Sequence, residues 1–247
     1  MWPEPEVCPT PELLAKALSS GSRYTGVSMR ALFLAATMAV LLAGCSLMSP
    51  SVRRALATPY QPVNVSRLQA VLPESIRRVA LLPIPRSRGN ANQTAGAEAL
   101  EPLFLIELNK RHAFEVIPVS PERVHALTGG NAWGADDRLP ADFLERLRQA
   151  TGCDAVLFIS LTTFQPYPPL QVGWKARLVD CEKRLTWWAV DEVFDAGSDS
   201  VAAAAVAFAN SQLNPPDSAV DGAAVLRSPR RFGQYTASAI VCTLPER

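Results

Sequence analysis

The sequence predicts a single α/β domain, in which helices pack in a three-layer-like arrangement on a mixed sheet of about five strands. Two near-continuous apolar runs, 78–85 and 154–164, are typical of strands that are buried on both faces. Between these runs the apolar residues recur at helical spacing, whereas from 171 to 193 they alternate as in an antiparallel hairpin. The predicted order is therefore a βαβααβ core followed by a hairpin.

The chain begins with a segment that we do not assign to this domain. Residues 1–28 carry three glutamates among four prolines, an acidic composition that is atypical of the start of a signal sequence. Met29 would be a better translation start. Residues 1–28 are therefore interpreted as either a mis-called start or a long n-region.

Residues 29–44 are predicted to be a signal peptide. Met29 and Arg30 give a short positive start, and 31–44 contains no charged residue. A membrane-spanning helix needs about 20 apolar residues. This run is shorter and ends in small residues, which is typical of a secretory signal with its cleavage site.

The signal ends in Leu42, Ala43, Gly44 and Cys45, which resemble the lipobox of bacterial lipoproteins. The resemblance implies cleavage before Cys45 and lipidation of its sulfur, giving an anchor of several acyl chains. Because no aspartate follows Cys45, it also implies the periplasmic face of the outer membrane; different sorting signals would leave the protein at the inner membrane. Residues 45–75, rich in proline and small polar residues, are predicted to be the lipidated cysteine and a flexible tether.

The α/β domain is predicted to span 76–213. Apolar, β-branched or alternating runs predict a turn at 180–183 and strands at 78–85, 113–119, 154–164, 172–178 and 185–193. Spaced apolar residues predict helices at 97–111, 121–127, 141–150 and 200–212. Pro102 either lies in the first turn of a helix that starts near Glu101 or kinks a longer helix. Residues 214–247 are predicted to be a loop and a C-terminal helix, 229–243, that packs on the domain.

Charge and cysteine content limit the classes of function. The formal net charge of +1 argues against a nucleic-acid-binding surface. Cys153, Cys181 and Cys242 follow the predicted anchor, and no short-spaced pair suggests zinc, so we predict no metal site and no cofactor. An odd number of cysteines allows at most one intramolecular disulfide. Buried, inert thiols are the favoured interpretation, and whether any two of them pair is left open.

Four aromatic residues around the hairpin are candidates for an interface. Alternation predicts that Trp174 and Trp187 either pair across the strands in the core or anchor an interface. Trp188 is predicted to lie on the opposite face of the sheet from Trp187, and Tyr167 lies among the prolines before the hairpin. The candidate interface residues are therefore Trp174, Trp187, Trp188 and Tyr167.

Several of these segments resemble the periplasmic α/β lipoproteins related to CsgG and the amino-terminal domain of TolB. The resemblance covers about residues 76–212 and rests on Arg78-Val79-Ala80-Leu81-Leu82-Pro83-Ile84, Phe114-Glu115-Val116-Ile117, Thr151-Gly152-Cys153-Asp154-Ala155-Val156 and the hairpin from Val179-Asp180 to Trp187-Trp188-Ala189. It implies a protein that assembles or steadies envelope machinery. An insertion as long as the membrane-inserting hairpins of CsgG is not evident, which argues against a pore.

The sequence carries no familiar catalytic pattern. It has no Gly-x-Ser-x-Gly elbow, no His-Glu-x-x-His and no Cys-x-x-Cys, and we expect His112 and His125 to be surface or satisfied histidines. Asp191 and Glu192 are predicted to point to opposite faces of one strand, which argues against a catalytic carboxylate pair. We therefore expect that the protein is not an enzyme.

The resulting hypothesis is a lipid-anchored periplasmic protein that acts as a non-catalytic scaffold or assembly component of envelope or secretion machinery. Its expected partners are the membrane, through the lipid, and envelope proteins or further copies of itself, without nucleic acid. The alternative is a periplasmic small-ligand-binding module that uses Trp188, Tyr167 and the Arg86–Arg88 loop. A hydrolase is the third hypothesis.

Overall fold

The computed structural model describes residues 60–87, 89–213 and 221–247. The predicted signal peptide, the Leu42-Ala43-Gly44 motif, Cys45, the first part of the predicted tether, Arg88 and the loop 214–220 lie outside the described residues.

In these ranges the elements follow the predicted order closely. The strands are β1 (Val65–Arg67), β2 (Arg78–Leu81), β3 (Glu115–Pro118), β4 (Ala155–Gln165), β5 (Gln171–Asp180) and β6 (Thr186–Asp195). The α-helices are α1 (Ala91–Arg111), α2 (Pro121–Thr128), α3 (Phe143–Thr151), α4 (Asp199–Phe208) and α5 (Pro229–Val241). A short π-helix, Ala209–Leu213, continues α4, and a 3-10 helix, Gly222–Arg227, precedes α5.

All the strands join one mixed sheet in the order β1-β6-β5-β4-β2-β3. β2 runs parallel to both β3 and β4, whereas β4, β5, β6 and β1 are joined in antiparallel pairs. The predicted α/β class, the βαβααβ core and the following hairpin are therefore confirmed. The sheet has one strand more than the predicted five, because β1 adds to the edge of the hairpin.

β1 corrects the predicted domain boundary. Val65 lies opposite Val190 of β6, and the side chains of Leu72 and Ile76 are buried in the core. Residues 60–75 are therefore part of the folded domain and not a tether. The strand is only three residues long and is surrounded by proline and polar residues, so its sequence pattern resembles a linker.

Glu192 fastens the segment before β1 to the sheet. Its carboxylate accepts hydrogen bonds from the backbone N–H groups of Val63, at 2.9 Å, and Asn64, at 3.1 Å. The Tyr60 ring meets Phe194 edge-on with 5.6 Å between centroids, and its hydroxyl bonds to Glu192. Burial by itself would raise the pKa of Glu192, but the hydrogen bonds from Tyr60, Asn64 and Val63 lower it below its usual value.

Two hydrophobic clusters lie on opposite faces of the sheet. The larger one is formed by the first face of the sheet with α1, α4 and α5, and Phe104 of α1 packs edge-on against Trp174 at 5.2 Å. The smaller one is formed by α2, α3 and the 131–140 loop against the strands β2 and β4 and one residue of β5, Val179. The molecule therefore has the three layers that the sequence predicts.

Helix α1 begins earlier than predicted. It starts at Ala91, where the Asn90 side chain caps it by accepting a hydrogen bond from the Gln93 N–H at 3.0 Å. Pro102 lies inside this helix, so the alternative in which the helix starts near Glu101 is wrong. The sequence did not predict Asn90 as a helix cap, because it lies in a polar stretch that resembles a loop.

The segment 151–154 joins α3 to the central strands. Gly152 ends the helix at φ 66°, a conformation that suits glycine, and its carbonyl accepts a hydrogen bond from Arg78. The Asp154 carboxylate accepts the N–H groups of Arg77 and Arg78, each at 2.9 Å. These residues position the ends of β2 and β4.

Replacing Glu192 with glutamine is expected to lower the Tm at neutral pH. A carboxyl group whose pKa is depressed in the folded state stabilises that state above its unfolded pKa of about 4.3, and this contribution disappears as the pH falls through the folded pKa. The Tm difference between wild type and Glu192→Gln should therefore shrink as the pH falls from about 5 to 3. Calorimetry across this range measures it, with the exposed Glu74→Gln as control. A constant difference would contradict the assignment.

Candidate functional site

The three tryptophans of the hairpin lie in the core. Trp174 and Trp188 are 0% and 1% exposed, and Trp187 is also buried. The indole N–H of Trp174 donates to the Thr236 hydroxyl at 2.8 Å, and that of Trp188 donates to the Thr243 hydroxyl at 3.0 Å. The C-terminal helix and the turn after it therefore cover the rings of Trp174 and Trp188. The burial of all three tryptophans makes them part of the core and not exposed interface anchors.

A β-bulge explains why Trp187 and Trp188 do not face opposite sides. Leu178 lies opposite Trp188, but the next residue, Val179, lies opposite Thr186, so Trp187 is an extra residue in β6. All three tryptophans belong to the larger cluster. The predicted alternation fails here because a bulge adds one residue to the period of two.

Asp180 organises the turn next to this bulge. One of its oxygens accepts the N–H groups of Glu182 and Lys183, both at 2.8 Å, and the other accepts the indole N–H of Trp187 at 3.3 Å. The aspartate and tryptophan of the hairpin therefore have a structural role.

The predicted ligand site is not assembled. Trp188 is buried beneath α5, whereas Tyr167 is 72% exposed in the connection between β4 and β5. Arg86 is engaged by two glutamates of α1, at 3.0 Å from Glu101 and 4.0 Å from Glu98. Of the four candidate interface residues, Tyr167 alone remains on the surface.

A crevice lies where the parallel strands β2 and β3 end. It has a volume of about 630 Å³ and is lined by Arg86, Pro121, His125 and the segments 83–85 and 129–132. The helix after β2 packs on one face of the sheet and the helix after β3 on the other. The crevice therefore opens at the carboxyl ends of these strands, the edge at which open α/β sheets commonly bind ligands. We call it the β2–β3 crevice. Pro83, Pro85 and Gly129-Gly130, which end predicted elements in the sequence, line this crevice. The sequence alone does not bring them together, because their proximity depends on the order of the strands.

The hairpin leaves part of the second face open. The smaller cluster includes Val179 of β5 but, among the described residues, none of β6 or β1. The side chains on this part of the sheet are half-buried or exposed, and we call them the open sheet surface: Ser66, Lys175, Arg177, Ala189, Asp191 and Val193.

The open sheet surface carries charges of both signs. Lys175 lies 2.7 Å from Asp136 and 3.1 Å from Asp191, and hydrogen bonds to these two carboxylates raise its pKa. The Arg177 guanidinium lies over the Phe158 ring at 5.8 Å. Asp191 is thus directed to this surface, whereas Glu192 is directed to Tyr60 on the other face, as predicted.

Other candidate residues occupy structural positions. Asp137, beside Asp136, accepts the Gly134 N–H at 2.7 Å, and both His112 and His125 are exposed. Cys242 is exposed, but the sulfurs of the buried Cys153 and Cys181 lie 3.6 Å apart.

Two features are absent from the described residues. Residues 60–87, 89–213 and 221–247 contain no group of three or more histidine, cysteine or acidic side chains arranged to hold a metal ion. The same residues contain no helix with the length and apolar character needed to cross a membrane.

Similarity to known proteins was found at the level of structure. No protein-family model and no curated protein matches the sequence. The PelC L103M dodecamer from Paraburkholderia phytofirmans is 14% identical with a TM-score of 0.36, covering 68% of this chain and 96% of that one. Lipoprotein GNA1162 from Neisseria meningitidis is 24% identical with a TM-score of 0.34, covering 49% and 85%. The LpoB C-terminal domain from Salmonella enterica is 14% identical with a TM-score of 0.31, covering 48% and 82%.

These similarities are too low to transfer a function. The resemblance to CsgG and to the amino-terminal domain of TolB stays a prediction.

Replacing Thr236 with valine is expected to destabilise the domain by about 1 to 3 kcal/mol, because the buried indole N–H of Trp174 would lose its acceptor. Thr236→Ser keeps the hydroxyl and should retain most of the stability. Urea unfolding measures the difference, with the exposed Thr186→Val as control. Equal stability of the valine and serine variants would show that the hydrogen bond contributes nothing.

Proposed function

We propose that this protein is a lipid-anchored, non-catalytic scaffold or assembly component of the bacterial envelope. The anchor is Cys45, and the domain stands on the periplasmic face of the outer membrane. Through the open sheet surface it binds an envelope protein or another copy of itself. The lipobox-like Leu42, Ala43, Gly44 and Cys45 support the location.

The main observation in support of a binding role is that helices cover one face of the sheet more completely than the other. One face of the sheet is packed under α1, α4 and α5, whereas on the other face the cluster beneath α2 and α3 ends at Val179. An antiparallel sheet can leave one face to water, but this face carries Val193, which is 48% exposed, and the half-buried Ala189, one on each side of Asp191 along β6. Apolar side chains beside paired charges are typical of the mixed composition of a protein interface.

The charges of this surface favour a protein partner over a polyanion. Lys175 is paired with Asp136 and Asp191, and these two carboxylates together balance the charges of Lys175 and Arg177, so little net positive potential is left for phosphates. A partner can form charged and apolar contacts with such a surface without separating these ion pairs.

A non-catalytic role is supported by the positions of the chemically versatile side chains. His112 and His125 are exposed at different helices, and the carboxylates of Asp191 and Glu192 are directed to opposite faces of β6. Neither arrangement provides an acid and a base near one bound substrate.

Fractionation of cells that produce wild type or Cys45→Ala tests the anchor. We expect wild type in the outer-membrane fraction with an acylated Cys45 as its first residue in mass spectrometry. The variant should lose both the acylation and the membrane association. A soluble wild-type protein that retains residues 1–44 would overturn the proposed location.

Matched surface substitutions test the open sheet surface. Val193 and Ile106 are exposed to similar extents, 48% and 44%, but Ile106 lies on α1, away from the open sheet surface. Val193→Asp should abolish crosslinked complexes in intact cells and any concentration-dependent oligomer of the purified protein. Ile106→Asp should preserve them. Complexes that survive Val193→Asp would exclude this surface as the binding site.

The β2–β3 crevice favours a second candidate, a small-ligand-binding module. The crevice has a volume of about 630 Å³ and is lined by His125 and by Arg86, for which an anionic ligand would have to compete with Glu101 and Glu98. A screen of small carboxylates and phosphates by thermal shift tests this candidate: a ligand should raise the Tm of wild type but not of His125→Ala. The absence of any shift, together with a stable oligomer, would favour the scaffold. A hydrolase has no comparable support from the described side chains.

A further inference from the structure

We propose that Cys153 and Cys181 form an intramolecular disulfide in the exported protein. This inference rests on the proposed envelope location, because disulfides form and persist in the oxidising compartments outside the cytosol. The bridge would be a modification site that joins two parts of the chain that are distant in sequence.

The backbone holds the two cysteines together. Cys153 lies between the end of α3 and the start of β4, and Cys181 directly follows β5. The Cys181 N–H donates to the Asp154 carbonyl at 2.9 Å, so the chain beside one cysteine is fastened to the chain beside the other. The two sulfurs are 3.6 Å apart, which is van der Waals contact and leaves only a short approach to bond formation.

Packing restricts the choice of partners. Both thiols are buried in the smaller cluster, 1% and 4% exposed. Cys242 is exposed just after α5, on the helix that packs into the larger cluster on the opposite face. Of the three cysteines in the domain, the fold therefore selects one pair and leaves the third unpaired.

The contact between the two sulfurs makes them unequal in the folded state. It lowers the pKa of Cys153, although burial opposes this effect; the Thr151 hydroxyl and the N–H groups of Cys153 and Ala80 also contribute. The same contact, together with burial, raises the pKa of Cys181. Because a thiolate is the nucleophile in disulfide exchange, either cysteine can begin the reaction while it is still exposed during folding.

The oxidant is a disulfide carried by a thiol oxidant of the envelope. In one order of events, the Cys153 thiolate attacks one sulfur of that disulfide, which forms a mixed disulfide and releases the other sulfur as a thiolate; the two cysteines can exchange these roles. Cys181 then loses its proton and attacks the Cys153 sulfur, which closes the bridge and releases the second oxidant thiolate. Two electrons pass to the oxidant, and the two cysteine protons end on its thiols. The low exposure of both cysteines indicates that this exchange precedes the final packing of α3.

The bridge would close a loop that contains β4 and β5. The cysteines are separated by 28 positions, and the chain-entropy model for a loop of this size, combined with the usual relation between stability and Tm, predicts a rise in Tm of about 10 °C. The gain should disappear on reduction.

Peptide mapping of the full chain tests the inference. The protein is isolated from the envelope under acid quench, unfolded, alkylated without reduction, digested and analysed by mass spectrometry. We expect one linked peptide pair that contains Cys153 and Cys181, and an alkylated Cys242. Both cysteines of the pair found alkylated, or a bridge that includes Cys242, would overturn the inference.

Variants and reduction supply an independent measurement. Reductant should lower the Tm of wild type and of Cys242→Ser by about 10 °C, and should leave the Tm of Cys153→Ser unchanged. If Cys153→Ser does not fold, the comparison of wild type with Cys242→Ser still decides the question. A Tm that does not respond to reductant in either protein would contradict the bridge.

A refolding experiment distinguishes a failure of the proposed disulfide from a failure of the proposed location. If fractionation shows that the chain is not exported, the proposed function fails, and purified full-length protein is then unfolded and refolded with oxidised glutathione. Formation of the Cys153–Cys181 bridge under these conditions would support the geometry of the site, and its absence would overturn it. An exported protein with free thiols would leave the anchor intact and refute the disulfide alone.

Discussion

The fold depends on the contact between the C-terminal segment and the tryptophans of the hairpin. Two large indole rings can be buried only if their N–H groups find acceptors, and Thr236 and Thr243 provide them from α5 and the turn after it. These two hydrogen bonds fix the position of α5 along the strands. The helix then closes the larger cluster together with α1, so residues at the far end of the chain determine how the central sheet is covered.

The amino-acid sequence predicts the elements of this fold better than their boundaries and contacts. The buried run in β4 and the alternation in β5 were sufficient to predict two central strands and their hairpin. Asn90 and β1 escaped prediction because a helix cap in a polar stretch and a three-residue edge strand have almost no periodicity. The bulge at Trp187 is equally invisible, since one inserted residue shifts the pattern without changing its composition.

The candidate site was less accessible to prediction, and for a clear reason. An aromatic residue can anchor an interface only if it is exposed. Trp174 and Tyr167 were both candidate interface residues, but Trp174 is buried and Tyr167 is exposed. The open sheet surface depends on which strands α2 and α3 reach, and Val179 marks that limit only after the chain has folded. Likewise, the Cys153–Cys181 contact depends on the register of β4 against β5.

The attachment of the amino-terminal segment to Glu192 has a mechanical consequence. For a chain fixed to a membrane at Cys45, as we propose, the distance that the domain can travel from the lipid is set by the residues up to 60 and not up to 76. At 3.3 to 3.6 Å per residue, this limits the reach to about 50 Å, roughly half the fully extended length of the predicted 45–75 segment. Only partners that come within this height above the bilayer could be engaged. Force applied to the anchor would act first on Tyr60, whose N–H donates to the Ser200 carbonyl at 3.2 Å, and then on the hydrogen bonds of Glu192.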